Sequence, residues 1–137
     1  MNIKDVVITE ESTSLEDIFR RQKELLEKYI PIERKNGRWI PDQRPIRDFN
    51  SPMIQGFIKE EIFRVVVELV EAADCLKNKF WKQEHMETDV DHFYEELIDS
   101  FHFLVELFLW IGIEAKDLYI LYMKKSTVNK WRQASGY

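Results

Sequence analysis

The sequence has 137 residues, 45% hydrophobic and 33% charged, which is enough apolar material for one domain with a core of its own. Its formal net charge of -5 and pI near 5.3 exclude a general binder of nucleic acid or anionic membrane, which would show a basic excess, but leave open a free nucleotide held through cations. The single cysteine, Cys75, cannot form an internal disulfide, and "MNIKDVVITEESTS" lacks the apolar stretch of a secretory leader, so the expected compartment is the reducing cytoplasm.

Ser14 with Asp17 three residues on has the spacing of a capping box and predicts a first helix from about Ser14 to Tyr29. The segment that follows, "PIERKNGRWIPDQRPIRDFN", reads as a polar connection punctuated by prolines. Ser51 as N-cap and Pro52 as first helical residue open a second helix that the apolar spacing carries to about Gln83. The polar run "KQEHMETD" is the next turn. A third helix then runs from about Val90 to Gly112, a natural stop, and a fourth from about Glu114 to Gln133. The expected fold is all-α, a single domain over 1–137 built on about four main helices. The stretch "FHFLVELFLWI", residues 101–111, is apolar almost all the way around, so a core completed by a second chain is expected, as a homodimer or a dimer of dimers. The apolar run 103–113 is interrupted by Glu106 and too short to cross a bilayer.

Within these helices two acidic pairs stand out. Glu68 and Glu71 lie three apart in "VELVEAADC", and their i+4 neighbours are Ala72 and Cys75, so the usual Glu-to-Lys pairing is missing. Glu96 and Asp99 repeat the spacing in "EELIDSFHF", with Ser100 and Phe103 at i+4. If the second and third helices fold back near Gln83 and Glu84, Glu71 faces Glu96 and Glu68 faces Asp99. Packed helix axes lie about 8–10 Å apart, and hard divalent cations take oxygen ligands at about 2.1–2.5 Å, so four carboxylates could meet around shared metal. For either pair alone, a solvated acidic face is the competing explanation. His102, three after Asp99, fits a packed or supporting role better than a ligand of a di-iron site, which needs Glu-x-x-His from two helices. Cys75 has no histidine at helical spacing and reads as a small residue flanking the core.

The ordered set "ELVE" at 68–71, "KNKFWK" at 77–82, "EELIDSFHF" at 95–103 and "LYMKKSTVNKWRQASGY" at 121–137 resembles the all-α NTP pyrophosphatases, the group that includes the MazG-like enzymes. With "IFRRQKELLEK" at 18–28 it is most similar to the branch of dimeric dUTPases and phage dCTP/dUTP pyrophosphatases. That resemblance implies a magnesium-dependent hydrolase converting dUTP, dCTP or both to the monophosphate and pyrophosphate. It implies that Glu68, Glu71, Glu96 and Asp99 hold two or three Mg2+ ions, with Glu68 and Glu71 catalytic and Glu71 accepting the proton of the attacking water. It further implies that Gln22 reads the pyrimidine edge and that Lys125, Asn129, Arg132 and Tyr137 contact nucleotide and phosphates, with Lys82 and Lys79 adding positive potential. The partner is thus a small nucleotide rather than nucleic acid or membrane. The alternatives are a broad MazG-like NTP pyrophosphatase and a non-catalytic helical interaction module.

Overall fold

The computed structural model describes residues 1–8 and 14–136. A short 3-10 turn over Ile3–Asp5 precedes four α-helices: α1 (Leu15–Lys35), α2 (Pro52–Asp74), α3 (Val90–Ile111) and α4 (Ala115–Ala134). No strand occurs among the described residues, and none of their helices is long and apolar enough to cross a membrane. The all-α architecture is as expected.

Local chemistry sets most helix ends. Ser14 Oγ accepts from the Asp17 amide at 3.3 Å and donates to its carboxylate at 2.8 Å, fixing the start of α1. Glu114 and Asp117 form a reciprocal capping box at the start of α4. Gly112 ends α3 in the left-handed region at φ +82, and a Cβ there would sit 2.8 Å from Pro45 Cβ, so both backbone conformation and contact demand glycine.

Two boundaries differ from expectation. α1 does not stop at Tyr29 but passes through Pro31 to Lys35. Proline forfeits the bond to the Glu27 carbonyl, yet its fixed φ is helical, and the turn beyond it is held by ion pairs of Glu33 and by Arg34, which donates to the Pro41 carbonyl. α2 ends at Asp74 rather than near Gln83. The apolar residues that suggested a longer helix, Leu76, Phe80 and Trp81, are exposed, because α3 begins only at Val90 and offers nothing for further turns to pack against. Asn78 closes the connection instead, donating to the Met86 carbonyl and accepting from its amide, both at 2.8 Å.

The connection from 36 to 51 is more than a polar linker. Ile40 and Ile46 enter the core with Leu26, Phe57 and Trp110, and the Ile46 amide donates to the Trp110 carbonyl at 2.8 Å. A second cluster joins Phe19, Val105 and Ala115, with Phe108 and Leu118 against it. Leu118 is the last residue of α4 in either cluster; from Tyr119 onward the helix buries no residue among those described.

The hairpin of α2 and α3 is the scaffold of the acidic cluster. Phe57 meets Trp110 edge-to-face at 4.9 Å between ring centroids, and the Arg64 guanidinium lies 5.8 Å from the centre of the Phe103 ring. Both pairs are equidistant from the midpoint between Gln83 and Glu84. The fold-back register is therefore the one that sets Glu68 beside Asp99.

Candidate metal centre and nucleotide groove

On the α2–α3 hairpin, Glu68, Glu96 and Asp99 are half-buried, and one carboxylate oxygen from each lies within 4.8 Å of the others. Loss of solvation first, then the charge of Glu71, a hydrogen bond with Glu96 and the charge of Asp99, push the Glu68 carboxyl up to about 7. Glu96 Oε2 is buried without a hydrogen-bond partner among the described residues, while Oε1 lies 3.6 Å from His92 Nε2. Glu71 is exposed and stands beside Glu68, outside the three-residue cluster. It lines an adjoining cavity of about 510 Å³ together with Glu96, Asp89, His92, Cys75 and Lys77.

This donor set suits a hard divalent cation. It consists of carboxylate oxygens, it is crowded enough to raise the pKa of one member, and one of its oxygens has no protein donor. The Cys75 thiol donates to the Glu71 carbonyl at 3.4 Å, and lost solvation followed by the Glu96 charge pushes it up, away from nucleophile behaviour.

Gln22, on α1, is buried and lines a groove of about 570 Å³ between α1 and α3. Ile98, Phe101 and His102 of α3 form the facing wall, and none of the four carboxylates is among the residues that line this groove. His102 is thus exposed at the groove rather than packed.

The remaining sequence-derived residues are dispersed. Lys125 and Asn129 share a shallow groove of about 390 Å³ on α4 itself with Tyr122, Ser126, Lys130 and Gln133. Arg132 is half-buried one turn further on. Within one chain α4 packs on α1 and on the end of α3 through its first turn only, at Ala115 and Leu118, so Lys125, Asn129 and Arg132 further along do not reach the carboxylate cluster. Lys82 is exposed in the connection after α2, and Lys79 stacks over Trp81 at 5.3 Å. The lysine that does line the acidic cavity is Lys77, passed over because all three lysines of "KNKFWK" look equally solvated in sequence. Tyr137 lies outside the described residues.

Comparison with known proteins adds three findings. Residues 14–113 match the model of the family described as dUTPase. A stretch of 42 residues is 40% identical to the dCTP pyrophosphatase of Enterobacteria phage T4. That match spans 31% of this chain and 25% of the phage protein, so the chain covers about a quarter of the relative's length. No solved structure matches.

Proposed function

The chain belongs to the dUTPase family, and from that premise we propose that it is a magnesium-dependent dNTP pyrophosphohydrolase acting on dUTP, dCTP or both, releasing the monophosphate and pyrophosphate. The observation that carries this is the convergence of Glu68, Glu96 and Asp99 within 4.8 Å on the α2–α3 hairpin, whose α3 also forms one wall of the Gln22 groove. These three, with Glu71 alongside, would hold two or three Mg2+ ions. Bound there, the cations supply charge neutralisation for the phosphoryl oxygens and acidify a water.

The protein's own groups do the rest. Glu71 is less enclosed than its three neighbours, which suits it to accept the proton of the attacking water at a carboxylate oxygen while Glu68 remains committed to the cations. The Gln22 amide offers one donor and one acceptor side, and so can meet the edge of uracil or, turned over, of cytosine. Ile98 and Phe101 give the base an apolar wall and exclude water from that side. Lys82, Lys125, Asn129, Arg132 and Tyr137 are assigned to the nucleotide and its phosphates, the last four from the end of the chain.

Because α4 leads away from its own carboxylates, those end-of-chain residues act in a site completed by a second copy. Exposed apolar side chains support the association: Phe63, Val67 and Val70 on α2, and Tyr122 and Trp131 on α4. We assign a homodimer or dimer of dimers working in the cytoplasm on free nucleotides. Calorimetric titration with Mg2+ and then dUTP or dCTP tests the reading: saturable, magnesium-dependent nucleotide binding is expected. Equal affinity for purine triphosphates would move the protein to the broad MazG-like class, and absence of binding would leave only an interaction module.

A further inference from the structure

About two turns deeper along the hairpin, the same register brings together a second pair of acids that the proposed chemistry does not use. Glu61 from α2 and Glu106 from α3 face each other with 0% and 1% of their surface exposed. Arg38, from the connection after α1, reaches Glu61 at 2.8 Å and Glu60 at 3.0 Å. Arg64 lies 3.9 Å from both Glu61 and Glu106. Both arginines also pair with Glu33 of α1. The charged groups acting on Glu106 are thus Glu33 from α1 and Glu61 and Arg64 from α2, while Arg38 from the connection and Glu60 bear on it through Glu61. On α3 itself His102, one turn earlier, opens into the Gln22 groove.

One oxygen of Glu61 and both of Glu106 are buried with no hydrogen-bond donor among the described residues. Two ionised carboxylates would leave these acceptors facing each other without water, which burial penalises heavily. A single proton removes the conflict by making Glu106 a donor and Glu61 its acceptor. Burial first, then the hydrogen bond to Glu61 and the charge of Glu61, push the Glu106 carboxyl up to about 9, against the pull of Arg64.

We propose that Glu61 and Glu106 are positioning residues: a carboxyl–carboxylate pair sharing one proton, clamped by Arg38 and Arg64, that holds α2 and α3 in the register joining Glu68 to Glu96 and Asp99. The proposal rests on the reading of those three as metal ligands. Its physical basis is that the ligand layer repels itself until a cation arrives, so the hairpin needs an attraction elsewhere on the same face. The Arg64–Phe103 contact lies between the two layers and links them. Because the Glu106 carboxyl is raised from 4.5 to about 9, the folded protein keeps a proton that the unfolded chain releases across that window. The stabilisation is therefore complete below the unfolded value and is lost as pH rises through the folded one.

Thermal unfolding in chelator across this pH window, with Mg2+ titrations near neutral pH, tests the proposal on wild type, Glu106→Gln and Glu106→Leu. The wild-type Tm should decline toward pH 9. Glu106→Gln donates to Glu61 without titrating, so it should flatten the decline above about pH 7, beyond the range in which Glu68 contributes, and keep Mg2+ affinity. Glu106→Leu has no donor and should bind Mg2+ about 10-fold or more weakly, in the range seen when support for a metal ligand is removed. An equal alkaline decline in wild type and Glu106→Gln would overturn the shared proton, even if the leucine variant does not fold. A folded Glu106→Leu with wild-type Mg2+ affinity would overturn the positioning role. If wild type binds no Mg2+, the ligand reading fails and the positioning role with it, while the pH slope still decides the proton.

Discussion

Replacing Asp99 by asparagine should make the metal-free protein more stable while disabling it. The facing oxygens of Glu68, Glu96 and Asp99 lie within 4.8 Å of one another. Two unit charges at that separation repel by roughly 1 kcal/mol at the dielectric constant of water and by about 3–4 kcal/mol at an effective constant of 20. Half-burial sets the cluster between those limits, and the proton that Glu68 tends to keep near neutrality removes part of the repulsion. Asp99→Asn should thus relieve on the order of 1–2 kcal/mol, a rise in Tm of about 3–8 °C for a chain of this size. The assay is thermal unfolding in chelator and then in Mg2+. Magnesium should raise the wild-type Tm by mass action and add little to the variant, whose turnover should fall roughly 10²-fold or more. A variant less stable than wild type in chelator, with an undiminished response to Mg2+, would refute the reasoning.

Two other outcomes follow from the geometry. Gly112→Ala must place a Cβ at φ +82 and 2.8 Å from Pro45 Cβ, so chemical denaturation should show a loss of about 2 kcal/mol or more; an unchanged midpoint would mean that the α3–α4 corner is misplaced. Mixing inactive Asp99→Asn with inactive Arg132→Ala should restore about a quarter of wild-type turnover, because half of randomly mixed dimers carry one intact site if α4 serves its partner's carboxylates. No recovery on mixing, or a monomeric mass by light scattering, would place the site within one chain.

How much of this was legible in sequence depended on whether the controlling interaction was local. Ser14, Gly112 and the start of α4 were readable because caps are settled by residues a few positions apart. The hairpin register was readable because two acidic pairs mirrored each other about Gln83 and Glu84, and Phe57–Trp110 and Arg64–Phe103 follow the same symmetry. Pro31 and the end of α2 were misjudged for opposite reasons. A local rule against proline was overridden by tertiary ion pairs at Glu33, and an apolar run through Leu76 and Phe80 had no partner surface to reward it. Ile40 and Ile46 were hidden among prolines and charges, where no period marks an inward face.

The buried ionic cluster was missed because a glutamate in a helix reads by default as a solvated residue. Yet Glu61 and Glu106 are themselves equidistant from the same fold point, so extending the mirror test beyond the two short motifs would have found them. Arg38 could not have been found that way, since it comes from outside the hairpin.

The central claim, that the carboxylate layer supports magnesium-dependent hydrolysis of pyrimidine dNTPs, is tested most directly by product analysis. Purified protein is incubated with each of dUTP, dCTP, dTTP, dATP and dGTP, in Mg2+ or in chelator, and the nucleotides are resolved by HPLC with pyrophosphate measured in parallel. The account predicts conversion of dUTP, dCTP or both to the monophosphate with equimolar pyrophosphate, abolished by chelator and by Asp99→Asn. A panel in which no nucleotide turns over, or in which turnover survives both chelator and Asp99→Asn, would contradict it.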